Sequence, residues 1–378
     1  MTRDKTENFT FRALYLIAIL FVVDGHIPLG EMLNWGGLFR YYSFHLMLFA
    51  FGSGYFFSRR GGVAAQIRKS AVRLLVPLYI YNALYGILAL LLRRFAGATL
   101  GAPLSAYTLM LAPLTDGQHF AYNLGAWFLF PLFLARTVYL LLDRLLARVR
   151  WRETVALVLC LIPGVLAVSL CRAGRQGAVP LFVLRTAILL PGYAFGVLYR
   201  ARLERWDRLP TVPYLTGIVV LRALLCTRYE NLAYLLSDCS YFGCDAFGVY
   251  AGGAMAIAFY LRLARLLAPC VQKSRLALFV SRHTFDVMMH HYLGFYALNC
   301  VFLAVHILGL GAADFSVNSL RTVSGYVYTP GGRSEWAVLY LIAGVLFSCG
   351  VAVAMRWLSV RASGLMRRGK AVLSKQNR

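Results

Sequence analysis

Ten apolar segments of roughly 20 residues each follow one another along the chain, and they limit the fold more than any other feature of the sequence. They cover residues 11–30, 38–57, 72–92, 124–142, 153–171, 179–198, 211–229, 243–261, 284–308 and 336–358. A segment of this length crosses a bilayer as a helix. Period-2 alternation is absent, which disfavours a β-barrel. We therefore expect an all-α, polytopic membrane protein with about ten transmembrane helices in one domain, residues 1–378.

The composition agrees with a membrane location. Hydrophobic residues make up 60% of the 378 residues and charged residues only 14%, where a soluble domain carries about 25%. This excludes a nucleic-acid-binding protein or a cytosolic enzyme. Basic residues precede the first apolar segment, as in a signal peptide, but no small-x-small cleavage site follows it, so we expect a retained helix. Cys239 and Cys244 are the only close cysteine pair, and whether they form a disulfide is left open.

The formal charge of +24 is distributed unevenly between the two sides of the predicted membrane. If the N-terminus is cytoplasmic, 25 of the 39 Lys and Arg residues fall in inner segments and eight in outer segments. Such a bias predicts that both ends, including basic tails at 1–10 and 359–378, are cytoplasmic. Most of the positive charge then needs no ligand to explain it, because a basic cytoplasmic rim follows from topology and lipid attraction.

Ionisable side chains inside apolar segments are costly, so each is a candidate functional residue. These candidates are Asp24 and His26 in the first segment, His45 in the second, and Asp286, His290 and His291 in the ninth. Pro28 lacks the N–H that would continue the first helix, so we expect an open turn beside His26. His26 and His45 both fall in the predicted outer half. For His45 a structural hydrogen bond between helices and a functional role remain equally open.

The ninth segment places three ionisable residues four positions apart. Arg282, Asp286 and His290 should form one stripe on a helix, on which the carboxylate orients the imidazole. Such a stripe is typical of a catalytic base with its orienting group, but a structural ion network has the same pattern.

A second set of candidates is basic. Arg68, Lys69 and Arg73 precede the third apolar segment, and together with Arg12 they could bind a phosphate-bearing donor. The alternative is a helix end anchored in lipid headgroups. The Gly-Ser-Gly sequence at 52–54 predicts close helix packing and not a phosphate loop.

Five stretches carry a resemblance to a known family, in the same order along nearly the whole chain. They are LIAILFVVDGH, YYSFHLMLFAFGSGYFF, RKSAVRLLVPLYIYN, GAWFLFPLFLAR and HTFDVMMHHY. The chain thereby resembles the integral-membrane acyltransferase family three, in particular its fucose-4-O-acetylase-like branch. Gly-His followed by the Phe-His-x-Met stretch that ends in Ser-Gly-Tyr-Phe-Phe is the most specific of these features.

The resemblance implies transfer of an acyl group, usually acetyl from cytoplasmic acetyl-CoA, to a hydroxyl of a surface or lipid-linked glycan, in the plasma membrane of a bacterium. It implies an essential role for His26 and donor binding by Arg68, Lys69 and Arg73. Much of the family has an Arg eleven positions before this His. Tyr15 stands there in this chain, and the nearest Arg is Arg12, so the role of Arg12 is open.

These features support the hypothesis of an O-acyltransferase that uses acetyl-CoA and needs no metal. An imidazole with a pKa near neutrality can take the proton of a sugar hydroxyl as the hydroxyl attacks a thioester. His26 is the expected base, and His45, a protonated His290 or backbone N–H groups could stabilise the oxyanion. Direct transfer and a covalent acyl-histidine intermediate both remain open. The sequence then predicts that His26, His45 and either His290 or His291 line one cavity that opens toward Arg68 and Arg73.

Two alternative hypotheses remain open. In a proton-coupled transporter, Asp24, His26, Asp286 and His290 would form the proton relay, as intramembrane ionisable groups do in pumps. A non-enzymatic membrane scaffold would tolerate replacement of His26.

Overall fold

The expected all-α fold is confirmed. The structure, a computed structural model, describes residues 7–28, 32–34, 37–117, 120 and 122–376, so part of the predicted basic tails lies outside the described residues. It is 74% helical with almost no strand. Its helices are α1 (Phe9–Gly25), α2 (His45–Tyr55), α3 (Val63–Ala96), α4 (Ala106–Met110), α5 (Leu129–Leu145), α6 (Arg152–Arg172), α7 (Leu181–Leu198), α8 (Thr211–Arg228), α9 (Ala246–Lys273), α10 (Arg275–Arg282), α11 (Thr284–Ile307), α12 (Val317–Thr322) and α13 (Ala337–Gln376).

Eight helical segments in the described part of the chain are long and apolar enough to cross a membrane, and they correspond to the third to tenth predicted segments. The first two predicted segments form shorter helices, α1 of 17 residues and α2 of 11. At 1.5 Å per residue α2 is about 16 Å long, too short to cross the hydrocarbon core by itself. The count of ten crossings and the cytoplasmic location of both ends stay predictions.

The two short helices lie inside the bundle. Helix α1 packs against α2, α9, α10, α11 and α13. Helix α2 packs against α7 at van der Waals distance because both helices carry glycine at the contact. A Cβ added to Gly54 would lie 1.9 Å from the Tyr193 carbonyl oxygen, and one added to Gly196 would lie 2.0 Å from that of Phe51. The Gly-Ser-Gly sequence therefore serves helix packing, as predicted.

The longest of the early helices, α3, lies at the periphery. Its exposed apolar side chains recur every three or four residues and so lie on one face: Val72, Val76, Ile80, Leu84, Ile87 and Leu91. A water-soluble protein would not leave such a stripe uncovered, whereas a helix that faces lipid does. Because α3 faces outward, α1 is free to occupy the interior.

One end of the bundle, here called the basic end, is held together by ion pairs between different elements. Glu153 at the start of α6 lies 3.0–3.3 Å from the guanidinium groups of Arg59, Arg152 and Arg202. Arg59 also lies 2.7 Å from Asp143 of α5. These contacts tie the α2–α3 loop, α5, α6 and the π-helical turn after α7 (Tyr199–Leu203).

A second ion cluster lies at the same end. Asp207 pairs with Arg262 and Arg265 of α9, at 2.8 Å for Arg265, and accepts a hydrogen bond from the Tyr199 hydroxyl at 2.7 Å. Near the start of α1, Glu7 pairs with both Arg12, at 2.7 Å, and Arg282, at 2.6 Å. The inner basic residues predicted from topology are thus partly neutralised by acids.

The opposite end, here called the loop end, is covered by loops that contain short helices and a hairpin. A two-stranded antiparallel hairpin, β1 (Tyr234–Leu235) and β2 (Tyr241–Phe242), joins α8 to α9 with Tyr234 opposite Phe242. The short helices α4 and α12 lie in the other two long loops. Cys239 and Cys244 in the hairpin region are both free thiols.

Candidate active site

A cavity of about 660 Å³ opens at the loop end, within the size range of small-molecule sites. Its walls come from the end of α1, the start of α2, residues 101–102, 116–117 and 124–128 of the segment between α3 and α5, the start of α7, hairpin residues 234–238 and one face of α11. Most of the lining is apolar. His26 and His45 both line it, as predicted, whereas neither His290 nor His291 belongs to the lining.

His26 is presented to the cavity because α1 ends directly before it. Gly25 is the last helical residue, and Pro28 cannot donate the next backbone hydrogen bond. The Asp24 carbonyl accepts from the Ile27 N–H, and the Tyr42 hydroxyl donates to the Gly25 carbonyl. A Cβ at residue 25 would lie 3.0 Å from the Tyr41 ring, so glycine lets α2 approach the end of α1.

The hydrogen bonds of His26 identify its tautomer. Its Nδ1 lies 2.7 Å from the Val22 carbonyl oxygen, which can only accept, so Nδ1 carries the hydrogen. In the neutral ring this leaves Nε2 with the lone pair. Since the side chain lines the cavity, His26 has the protonation pattern of a general base.

His291 contacts the Nδ1 edge of the His26 ring. Its Nε2 lies 3.2 Å from Nδ1 of His26, and the two ring centroids are 4.9 Å apart. The His291 Nδ1 lies 3.0 Å from the carbonyl oxygens of Val287 and Met288, so that nitrogen carries the hydrogen and Nε2 is an acceptor. The His26 Nδ1–H is therefore shared between the Val22 carbonyl and the His291 imidazole. Both contacts orient the ring so that the His26 Nε2 lone pair points away from these two partners.

Gly125 makes room for His291. A Cβ added to Gly125 would lie 3.2 Å from the His291 ring and 2.5 Å from the Met288 carbonyl oxygen, whereas one added to Gly344 would be in ordinary van der Waals contact with the His291 Cβ at 3.5 Å. His291 itself is completely buried. The pair is consequently fixed by packing against the 3₁₀ turn before α5 (Leu124–Phe128) and against α13 as well as by hydrogen bonds.

His45 is oriented in the same way as His26. Its Nδ1 lies 2.6 Å from the Tyr41 carbonyl oxygen, and its ring meets the Tyr42 ring edge to face at 5.5 Å. In the neutral ring Nε2 is again an acceptor. His45 can therefore accept a hydrogen bond from a hydroxyl in the cavity, and it can donate to an oxyanion only when protonated.

The stripe predicted for the ninth segment does not form. The helix is interrupted at His283, between α10 and α11, so Arg282 and Asp286 lie on different helices. Arg282 pairs with Glu7, and the Asp286 carboxylate lies 4.0 Å from Arg356 of α13. His290 shares a hydrogen bond of 2.8 Å with the Tyr85 hydroxyl of α3.

The expectation that Asp286 orients His290 is therefore wrong. Four-residue spacing implies a shared face only along one uninterrupted helix, and even on α11 the imidazole turns toward α3. The orienting contact exists elsewhere, between His26 and His291. Of the two adjacent histidines, it is His291 that reaches the first-segment histidine.

The four basic candidates all lie away from the cavity lining. Arg12 is paired with Glu7 and donates to the Ser281 carbonyl at 3.1 Å. Arg68, Lys69 and Arg73 are exposed at the basic end of α3, without an ion pair to another described residue. The described residues do not extend the cavity to Arg68 or Arg73.

Arg185 is a cavity residue to which sequence reasoning assigned no role. It lies in the second turn of α7 and is only 3% exposed. Its guanidinium carbon lies 4.7 Å from the centroid of the Trp127 ring, which also lines the cavity. The available signal was an arginine inside an apolar segment, the same signal that identified the histidines.

Two further observations concern charge, one at the basic end and one over all described residues. Outside the membrane segments, hydrogen bonds from Arg282 lower the pKa of Glu7 from its ordinary value, so Glu7 is ionised at neutral pH and pairs with Arg12 and Arg282. Among the described residues no group of three or more His, Cys, Asp or Glu side chains is placed to hold a metal ion.

Comparison with known proteins identifies the family. The acyltransferase family 3 domain, described as an acyltransferase domain, matches residues 13–357, which is nearly the whole chain. No curated protein and no solved structure matches the chain. The matched region includes His26, His45, His291 and the basic start of α3. The chain therefore belongs to the acyltransferase family 3 and is a membrane acyltransferase.

Proposed function

We propose that the protein transfers an acetyl group from cytoplasmic acetyl-CoA to a hydroxyl of a cell-surface or lipid-linked glycan. The observation that carries this proposal is the His26 imidazole in the loop-end cavity. Its Nδ1–H is bonded to the Val22 carbonyl and His291, and its Nε2 lone pair is left to accept the proton of a substrate hydroxyl. Family membership supplies the acyl transfer. The glycan acceptor and the acetyl donor are part of the proposal.

The proposed chemistry is a proton transfer coupled to nucleophilic attack. His26 Nε2 takes the proton of the acceptor hydroxyl while the hydroxyl oxygen attacks the thioester carbonyl carbon. The tetrahedral intermediate then expels the CoA thiolate, which receives the proton from His26. General-base catalysis of this kind contributes about 10²- to 10⁴-fold in rate.

The remaining cavity residues support this reaction. His291 keeps the His26 ring in the tautomer whose Nε2 can accept a proton, and it offers an acceptor to the Nδ1–H of the imidazolium that forms. His45 Nε2 holds a neighbouring hydroxyl of the acceptor. The apolar walls exclude water, which would otherwise compete with the sugar as nucleophile.

Donor binding is proposed for the basic end. Arg68, Lys69 and Arg73 are exposed and unpaired among the described residues, so they are available to the phosphates of CoA. Arg12 is already paired, and it would have to exchange Glu7 for a phosphate. His26 lies 14 residues beyond Arg12, about 21 Å along α1, so the extended pantetheine chain must bring the thioester to the histidine.

The test is mass spectrometry of surface glycans from bacterial cells that express the wild type, His26→Ala or His283→Ala. His283 is a matched control, since its Nδ1 bonds a carbonyl four residues earlier, as in His26, but at the basic end. We expect an acetyl gain with the wild type and His283→Ala, and none with His26→Ala. Unchanged acetylation in His26→Ala refutes the proposed base, and solute uptake by proteoliposomes without acetyl-CoA favours a transporter.

A further inference from the structure

The cavity contains a buried cation that the proposed chemistry does not use. The Arg185 guanidinium donates to the Ser237 carbonyl, and its Nη1 lies 3.3 Å from the Asp116 carbonyl oxygen. The buried Nε has no hydrogen-bond partner among the described residues. A guanidinium has five N–H donors, so the two carbonyls leave Nε–H and one hydrogen on each terminal nitrogen unused.

No described carboxylate pairs with Arg185, although two line the same cavity. Asp116 accepts a hydrogen bond from Tyr107 at 2.6 Å, and Asp238 accepts two from Ser240, at 2.8 Å and 3.1 Å. Asp238 is exposed and Asp116 is half-buried. Both carboxylates are thus satisfied by neighbours nearer the solvent, and they lower the positive potential at the cavity mouth without neutralising the guanidinium.

Two other buried arginines also have a nitrogen without a described hydrogen-bond partner, Nη1 of Arg222 and Nε of Arg262, so what distinguishes Arg185 is its location. Arg262 has the carboxylate of Asp207, as expected for a buried charge. Arg222 also lacks a described carboxylate, but it bonds the Leu38 carbonyl and the Ser43 hydroxyl, and its Nη1 packs against α9 at Gly252, outside this cavity. Arg185 alone among these three lines the cavity that contains His26.

We propose that Arg185 binds an anionic group of the acceptor, either the carboxylate of an acidic sugar or a phosphate carried by the glycan or its lipid link. This inference rests on the proposed function, because it takes the loop-end cavity as the acceptor site. A planar guanidinium with donors left over matches carboxylate and phosphate oxygens. The stacked Trp127 ring and the two backbone carbonyls hold it in place for the ligand.

Binding of matched probes to the purified chain in nanodiscs tests this inference without any catalysis. The probes are cellobiose, cellobiouronic acid and a cellobiose monophosphate, which share a disaccharide frame and differ in charge. We expect the wild type to bind at least one anionic probe about 10- to 100-fold more tightly than cellobiose. A preference for the carboxylate indicates an acidic sugar, and a preference for the phosphate indicates a phosphorylated acceptor.

The variants separate recognition from structure. Arg185→Gln should bring the affinity ratio to about one, and Arg185→Lys should retain part of it, since the charge remains but the planar fork is lost. Arg175→Gln, an exposed loop-end arginine outside the cavity lining, changes net charge equally and should leave the ratio unchanged. Thermal unfolding of each variant detects misfolding. If Arg185→Gln is misfolded, the affinity ratio of Arg185→Lys is the test, and it should be lower than that of the wild type.

Equal affinities of the wild type for the three probes, no binding of an anionic probe, or an unchanged ratio in Arg185→Gln overturns the inference. His26→Ala should keep the full ratio, because His26 is not the anion-binding group. If His26→Ala still transfers acetyl while the anion preference depends on Arg185, the proposed base fails and the recognition site stands.

Discussion

The two ends of the bundle use charged and polar side chains differently. At the basic end, buried Glu153 and Asp207 each meet two or more guanidinium groups, so charge is matched by charge across several helices. At the loop end, the cavity contains His26 and His45, whose Nε2 atoms have no described partner, and Arg185 without a carboxylate.

The difference separates charge that holds the fold from polar groups available for chemistry. The buried carboxylates of the basic end are paired, because an unpaired ion in the membrane interior is costly. Polar groups that line a cavity and keep a donor or acceptor unused are available to a ligand. Sorting ionisable residues by whether they line a cavity with such a group unused therefore identifies candidate site residues better than their number does.

The largest expected effect of a single substitution on stability lies at the basic end. Asp207→Ala leaves the buried guanidinium of Arg262 without its carboxylate, and we expect the free energy of unfolding to fall by about 3–5 kcal/mol. Unfolding in mixed micelles measures it. The matched control is Glu335→Ala in the fully exposed Arg333 pair at the loop end, for which no measurable change is expected. Equal losses of unfolding free energy in Asp207→Ala and Glu335→Ala would contradict the idea that the buried ion pairs of the basic end hold the fold.

The next effect concerns the histidine pair. His291→Ala removes one of the two acceptors of the His26 Nδ1–H and leaves the Val22 carbonyl, so we expect kcat to fall about 10- to 100-fold while KM stays unchanged. His291→Gln should recover part of the loss through its amide oxygen. His290→Ala is the neighbouring control: it breaks the contact with Tyr85, and its kcat should stay near the wild-type value. Equal losses of kcat in the two alanine variants would contradict the assignment.

A smaller effect is expected for donor binding. Replacing Arg68, Lys69 and Arg73 together by Gln should raise KM for acetyl-CoA about fivefold or more and leave stability unchanged, because the three side chains are exposed. Arg93→Gln with Arg94→Gln, at the other end of the same helix, is the control. An unchanged KM in the triple variant places the donor phosphates elsewhere.

The smallest effect is the pH dependence of the Glu7 contacts. Hydrogen bonds from Arg282 lower the pKa of Glu7, so its contribution to stability is present above the unfolded-state pKa and is lost as pH falls through the lower folded-state pKa. Glu7→Gln should lower Tm slightly at pH 7, and the difference should vanish in acid. A difference in Tm that is independent of pH would show that the ionised carboxylate contributes nothing.

Apolar length and composition were sufficient to predict the all-helical fold and eight of the long helices. They overestimated the second segment, since residues 38–57 contain a 3₁₀ turn and the 11-residue α2, buried against α7. Apolarity records burial in lipid and burial in protein alike. A helix inside the bundle can therefore be short without any sign of it in the sequence.

The site was predictable where a residue is anomalous by itself, as with His26 and His45. It was not predictable where the partner comes from a distant segment. His291 meets His26 across 265 positions, whereas the local spacing of Asp286 and His290 suggested a contact that the break at His283 and the turn toward Tyr85 prevent. The place of Arg185 in the cavity depends on its contacts with the Asp116 and Ser237 carbonyls, which come from distant loops and could not be predicted from the sequence.

The central claim is that His26 is the base of an acetyl transfer in the loop-end cavity. Its most direct test is the kcat of purified wild type and His26→Ala in nanodiscs with acetyl-CoA and the acceptor identified by glycan mass spectrometry. The account predicts a fall in kcat of about 10²- to 10⁴-fold with unchanged thermal unfolding. A kcat that stays at the wild-type value in folded His26→Ala would contradict it.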